Sequence, residues 1–547
     1  MKIFKIIGGL AASLLLVSCA GSDTTSEQLG ELDQTLLLSD GVTLWNGATS
    51  SNPTNLGAAA VVPVCWAVAP RLSGGKLTCS GATATTDCQG KPVSGLPALR
   101  VRVRDLIQRS WMSNANIEFI GWNDCAKDAN GRHNDTLQAG KAVIQLQQLA
   151  ATEGKICTTD SSCMTDGALA TCVAQTGGGS RCSSNAIDWT DRLGMASNAP
   201  TVIQYNWPAI NTGGNDFNVI HEFGHALGFD HEWLRQDWTV VNGSPDPCAG
   251  ANSTGSYLGT GANDTASIMQ YCAVGGRTPP RLSPWDIIGL QNAYGRKGSG
   301  SLVGDLGLCA NVQGGSTANN TPIISYPCRS GWNDTFKRPA ATRTHLETTA
   351  NSRCVKKQSA TGNPLISVDC ASDTSQDFEF SGVEWRAMGD MCVHANGTFL
   401  ELRVCDGTTA QKWDFFGGGA AGARSDNIRL NGTNSCVTTT TTTMGAQLRL
   451  AACNSSDTKQ RFTYTGGGGV SVSSNTAFCM NISGGQPVTS GVVLWNGCSA
   501  PGYNARFHLH GKVKLVSGSC MTSAPLFSQM TMNTCTSALN QVFDYYL

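Results

Sequence analysis

Apolar residues along this chain fall into blocks with different periods. Ile6 to Val17 is almost wholly apolar and follows Met1 to Lys5, which carries two lysines. Val61 to Val68 reads as a strand, and Leu99, Val103, Leu106 and Ile107 recur at helical spacing through Leu99 to Trp111. Ile117 to Trp122 and Ala142 to Leu149 read as further strands, so the pattern from about Val61 onward is α+β. Residues 20 to about 55 hold Ser, Thr, Asp and Gly, and 19–60 is expected to be a tether or short pro-segment. Beyond Arg296-Lys297-Gly298-Ser299-Gly300 the chain changes into units bounded by cysteine pairs. At 547 residues the chain exceeds one compact core and allows about three or four domains.

Composition narrows partners and compartment. Lys plus Arg (38) nearly equals Asp plus Glu (39), and a net charge of −1 gives no field for polyanions, so nucleic acid is not expected as a partner. Only 14% of residues are charged while Gly reaches 63, a balance suited to loop-rich β structure. The 23 cysteines read as a disulfide framework in an oxidising space. The N-terminal charged and apolar regions have the form of a secretory signal, whose twelve-residue apolar stretch is too short to span a membrane. Leu16-Val17-Ser18-Cys19 resembles the lipobox of bacterial lipoproteins; an ordinary cleavage site beside an incidental cysteine is the alternative. The resemblance implies a signal peptide over 1–18 and a lipid on Cys19. With Ala20 next, it implies an exported lipoprotein, anchored to the membrane by its lipid, in the outer membrane or at the cell surface. Without Cys19, ten cysteines run from Cys65 to Cys272 and twelve from Cys309 to Cys535, so each half can pair internally. Cys157 to Cys182 holds four cysteines without a Cys-x-x-Cys pair, which favours a disulfide-bonded loop over a metal site.

The chemistry concentrates at His221-Glu222-Phe223-Gly224-His225-Ala226-Leu227-Gly228-Phe229-Asp230-His231. On a helix, His221 and His225 share one face and present two imidazole nitrogens to one point. Gly228 can adopt a positive φ and end the helix, letting His231 return as a third ligand. Three neutral histidines leave one position of a Zn2+ ion open, and Glu222 can take a proton from water there and hand it to a leaving amine.

These residues resemble the metzincin metallopeptidases, and within them the astacin family. The match continues through Gly228-Phe229-Asp230-His231-Glu232-Trp233-Leu234-Arg235-Gln236-Asp237 and breaks at Trp238. Ser267-Ile268-Met269-Gln270-Tyr271 looks like the family's Met-turn and its tyrosine. By that resemblance Met269 forms the floor beneath the zinc, and Tyr271 is a switchable ligand that stabilises the oxyanion. Leu282 to Gln291 resembles the closing helix, with Ser283 as N-cap. The resemblance implies a zinc endopeptidase domain over 61–297 acting on protein or peptide substrates. Family members are activated by removing a pro-segment whose Asp blocks zinc; here Asp40-Gly41 offers only a faint counterpart, which leaves latency open.

In the C-terminal part, first cysteines at 309, 354, 392, 436, 479 and 520 define six units spaced 45, 38, 44, 43 and 41 residues apart. Each closes with a second cysteine and then an aromatic: Phe336, Phe378, Trp413, Phe462, Phe507 and Phe543. This resembles the Gln-x-Trp repeat of ricin B-type lectins. It implies all-β trefoils of three units, one disulfide per unit, and the aromatics in a shared core. A six-bladed propeller has a similar repeat length, but no Trp-Asp or Gly-His signature accompanies these units. Gly417 to Ala423 divides the units into tandem trefoils over 301–418 and 424–547. By the resemblance the best sugar-binding candidates are Asn311, Tyr326 and Asn333 in unit one, and Asn481, Trp495 and Asn504 in unit five. No unit keeps the family's Asp two residues after the first cysteine. The expectation is therefore a multidomain, lipid-anchored zinc endopeptidase carrying two lectin-like modules that hold glycans. The alternative is a non-catalytic, carbohydrate-binding surface adhesin with a relict metzincin domain.

Overall fold

The computed structural model describes residues 37–39, 42–49, 52–67, 72–73, 76–77, 96–129, 135–147, 170–174, 180–184, 189–206, 216–232, 255–257, 264, 266–270, 280–298, 300–329, 331–337, 345–349, 353–371, 373–387, 389–415, 427–454, 456–485, 490–498, 503–515, 518–525 and 528–546. In the N-terminal part, besides two hairpins (Leu72–Ser73 with Lys76–Leu77, and Ala170–Ala174 with Ser180–Ser184), the strands are β1 (Leu37–Ser39), β2 (Ala60–Trp66), β3 (Ile117–Asp124), β4 (Ala142–Gln147), β5 (Trp189–Thr190), β6 (Thr201–Asn206), β7 (Phe229–Asp230) and β8 (Gly255–Tyr257). The longer helices are α1 (Leu96–Ile107), α2 (Asp216–Ala226) and α3 (Pro284–Tyr294). Sheet order is β3-β2-β4-β6-β5, parallel except for the antiparallel edge strand β5.

The period of each segment sets its face. In β2, Val62, Val64 and Trp66 are buried while Val61 is exposed. In α1, Leu99, Val103 and Ile107 lie four apart and all enter the core. A π-turn over Gln108–Met112 then changes the period, so that adjacent Trp111 and Met112 are both buried. A disulfide joins Cys65 in β2 to Cys125 just past β3.

The tether expected over 19–60 does not describe its C-terminal half. Val42, Leu44, Trp45 and Ala48 belong to the same buried cluster as α1 and α2. Asn46 Nδ2 donates to the carbonyls of Asn55, Ala58 and Ala293. Four apolar residues spread among polar ones were enough to fix this segment, because a complete core already offered them a surface.

The six C-terminal disulfides close within their units: Cys309–Cys328, Cys354–Cys370, Cys392–Cys405, Cys436–Cys453, Cys479–Cys498 and Cys520–Cys535. All six closing aromatics are buried. The units are not assembled in tandem, however. Leu302–Gly304 of unit one pairs with Phe543–Tyr545 of unit six, Phe336–Lys337 of unit one with Glu347–Thr348 of unit two, and Phe378–Phe380 of unit two with Val513–Leu515 of unit six. The hairpins of these three units also meet pairwise, through Thr321↔Ser367, Ile324↔Gln529 and Pro364↔Thr531. Units three, four and five close a second ring through Ala387↔Phe507, Trp413↔Leu430 and Phe462↔Val472. Their hairpins meet at Phe399↔Arg449, Glu401↔Gly491 and Gln447↔Val493. One trefoil therefore comprises units one, two and six, and a trefoil of units three to five is inserted into it. The ten-residue strand Phe378–Ala387 passes from the outer ring to the inner one, and Phe507–Leu515 returns beside it. Cysteine spacing is the same in nested and tandem arrangements, so it could not separate them.

Helix α3 is the seam between the two halves. Ile287, Leu290, Ala293 and Tyr294 pack into the N-terminal core, while Ile288 and Trp285 pack against the trefoils. Arg296 Nη2 donates to Phe507 O at 2.9 Å, and Lys297 is buried beside Ile117 O. Among the described residues no helix is long and apolar enough to cross a membrane.

Candidate functional site

Helix α2 carries His221, Glu222 and His225, all buried, and its last turn hands the chain to His231 through Gly228, whose φ is +106°. A Cβ at Gly228 would meet Leu44 Cδ2 at 2.5 Å, so both conformation and space demand glycine there. At Gly224, one turn earlier, a Cβ would collide with Met269 Sδ; the missing side chain lets Met269 pack directly against the helix between the two histidine turns.

The three imidazoles converge. His225 Nε2 is 3.1 Å from His221 Nε2 and 3.1 Å from His231 Nε2, and the three ligand atoms lie within 4.8 Å of one another. His221 Nδ1 faces Ile268 O at 2.7 Å and His225 Nδ1 faces Phe229 O at 2.8 Å. A carbonyl only accepts, so both Nδ1 atoms carry the proton and both Nε2 atoms present lone pairs. Burial, with the neighbouring His221 and His231, pushes the His225 pKa well down, and burial lowers that of His231, so both favour the neutral form. Lone pairs facing each other at 3.1 Å repel unless they share a cation. Tetrahedral coordination at about 2.0–2.1 Å would space such nitrogens about 3.3–3.4 Å apart, close to the spacing here.

Glu222 follows the first histidine, and Thr190 Oγ1, on the edge strand β5, lies 2.7 Å from its carbonyl and 3.0 Å from Oε2. The turn Ser267–Gln270, where the resemblance put a Met-turn, is held by Asp286 of α3. Ser267 Oγ donates to it at 2.6 Å, Ile268 N at 2.7 Å and Ser283 N at 2.8 Å, while Ser283 caps α3 by accepting from Asp286 N. Burial, then the nearby Asp264, raises the Asp286 pKa to about 7. Ser-Pro-x-Asp signalled this capping box in the sequence, but not that the carboxylate reaches the Met-turn. Thr190 carried no signal, because a two-residue strand has no period. Tyr271 and Cys19 lie outside the described residues.

The two groups of lectin-like candidates assemble alike. Asn333 Nδ2 donates to Asn311 Oδ1 at 3.2 Å, and Asn504 Nδ2 to Asn481 Oδ1 at 3.1 Å. In register, Tyr326 lies opposite Cys309 and Trp495 opposite Cys479. Trp495 is 42% exposed, whereas Arg329 holds its guanidinium 5.4 Å from the centre of the Tyr326 ring. Unit one lies in the outer trefoil and unit five in the inner one, so each ring carries one such group. In unit two, Lys356 at the position of Asn311 is instead paired with Asp373 at 2.8 Å.

No curated protein matches the chain. Among solved structures it is similar to an agglutinin from Abrus precatorius (17% identity, 38% of this chain and 94% of that one, TM-score 0.20). A non-toxic homologue of type II RIPs from Momordica charantia (bitter gourd), in complex with alpha-methyl-D-galactoside, shows 16% identity over 38% of this chain and 95% of its own (TM-score 0.21). Myroilysin shows 20% identity over 44% of this chain and 94% of its own (TM-score 0.23). TM-scores this low decide nothing about architecture or activity. The family model described as "Ricin-type beta-trefoil lectin domain" matches residues 424–543, spanning units four to six, which the fold divides between its two rings. The C-terminal part of the chain thus carries a ricin B-type lectin domain.

Proposed function

We propose that this chain is an exported zinc endopeptidase whose trefoils hold it on glycans. The observation that carries the peptidase reading is the convergence of three imidazoles, two of them with Nδ1 facing a main-chain carbonyl, beside a buried carboxylate. Zinc held by His221, His225 and His231 supplies Lewis acidity and lowers the pKa of water towards about 7. The chain's own groups do the rest. Glu222 takes the proton of the attacking water on its carboxylate and returns it to the leaving amine, and Thr190 orients that carboxylate. Met269 keeps water from beneath the imidazoles, and Tyr271, by resemblance, donates to the oxyanion. Strand β5 lies at the margin of its sheet among the described residues, beside Glu222, and is the edge on which an extended peptide would align.

Glycan binding rests on the matched lectin domain and on the paired amides beside an aromatic in units one and five. Export rests on the signal-like N-terminus and the seven disulfides among the described residues, and membrane attachment on Cys19. The deciding experiment measures zinc in the purified full chain together with cleavage of a denatured protein. One zinc per chain and chelator-sensitive cleavage support the peptidase. Absence of both leaves the adhesin with a relict domain.

A further inference from the structure

The carbonyls of a helix's last turn have no partners within the helix, and here those of α2 sit directly behind the histidine triad. Ala226 O accepts from Trp45 Nε1 at 2.7 Å, and Leu227 O accepts from the Tyr294 hydroxyl. The reversal at Gly228 closes against Leu44 and Val42. Thr43 O accepts from Met195 N at 2.8 Å, and the adjacent Gly194 N reaches His225 O at 3.0 Å. Upstream, β1 lies between β7 and β8, with Leu37 opposite Asp230, the residue before His231. One segment therefore supports the end of the ligand helix, the turn after it, and the strand that delivers the third histidine.

We infer that residues 37–48 are a permanent brace for the metal-binding triad, with Trp45 as a positioning residue, so that any maturation cleavage falls upstream of Leu37. This rests on the metallopeptidase reading and adds its regulation: the segment is not a pro-segment that can be shed. Asp40, the faint zinc-blocking candidate, lies outside the described residues. Removing the segment would take the donor from Ala226 O, empty the space under Gly228 and leave β7 without its partner on that side.

Two measurements on the full chain test this. Mass spectrometry of the mature, zinc-loaded protein should place its first residue at or before Leu37; an active, metal-loaded form beginning after Trp45 overturns the inference. Trp45→Phe removes the indole N–H and should speed zinc release to a chelator about tenfold. Tyr205→Phe is the control, since it removes an equally buried hydrogen bond to the same helix, at Val219 O (2.8 Å), away from its C-terminal end. Release unchanged in Trp45→Phe, or accelerated equally in both variants, would reduce the segment to ordinary packing. A wild-type chain that holds no zinc would instead refute the metallopeptidase reading, and the position of the mature N-terminus would still test the brace.

Discussion

Thr190 Oγ1 lies 3.0 Å from Oε2 of Glu222, which ties the edge strand of the sheet to the carboxylate assigned as general base. A hydrogen bond to a charged group contributes about 1.5–3 kcal/mol, or roughly 10- to 150-fold in rate when the charge is used in catalysis. Thr190→Val should lower kcat about tenfold with KM and zinc content unchanged, and Thr190→Ser should recover most of the loss. Equal kcat in wild type and Thr190→Val would remove the positioning role.

Glu222→Gln should retain zinc and lose hydrolysis by about two orders of magnitude or more, because the base is gone while the imidazoles remain. Metal analysis beside a peptide-cleavage assay checks both. An undiminished rate would sink the mechanism.

Asp286 gives a pH dependence with a defined sign. Its pKa rises from 3.8 to about 7 on folding, so between those values the folded state binds more protons than the unfolded one, and stability falls as pH rises through the window. In Asp286→Asn that fall should be absent. Melting temperatures of the zinc-free chain from pH 4 to 8 make the comparison, with parallel profiles as the adverse outcome.

Much of this site was legible in sequence, and its supports were not. His221 and His225 announce themselves by spacing, because a helix of fixed pitch converts a four-residue interval into one face; Glu222 is read from its place beside the first of them, and Met269 only from resemblance to a family motif. Trp45, Thr190 and Asp286 reach the same site from 181, 32 and 18 residues away, measured to Ala226, Glu222 and Ile268, and no local period encodes such contacts. The trefoil repeat was equally plain, but cysteine and aromatic spacing describes the inside of a unit and leaves the choice of neighbours open.

The nested arrangement predicts unequal fragments. Residues 383–511 contain the three unit-to-unit pairings that close the inner ring, losing only the flanking pairings of Phe415 with Phe380 and of His508–Gly511 with Phe543–Tyr546, and should fold alone with cooperative unfolding and three disulfides. Residues 424–547 leave Val513–Leu515 without Phe378–Phe380 and Phe543–Tyr545 without Leu302–Gly304, exposing buried apolar strands, and should aggregate or remain molten. Circular dichroism melts of the two would restore the tandem reading if 424–547 folds and 383–511 does not.

Glycan binding should survive loss of the Glu222 carboxylate. In the full chain carrying Glu222→Gln, Trp495→Ala is expected to weaken binding about tenfold through lost stacking. Adding Tyr326→Ala should lower avidity for a polymeric glycan by a further order of magnitude or more if both sites engage one chain. Signals on a glycan array that ignore both substitutions would leave the trefoils as spacers.

The inner trefoil leaves the outer one along Phe378–Ala387 and returns along Phe507–Leu515, two antiparallel strands side by side. A module appended at a chain end is shed by one cut in its linker. This one has two covalent connections, so a nick at Ser381-Gly382 or at Lys512 leaves it attached through the other, and both must be severed to release it. Where this protein meets proteases, the unit-five amide pair and Trp495 are thereby protected from loss by a single proteolytic event.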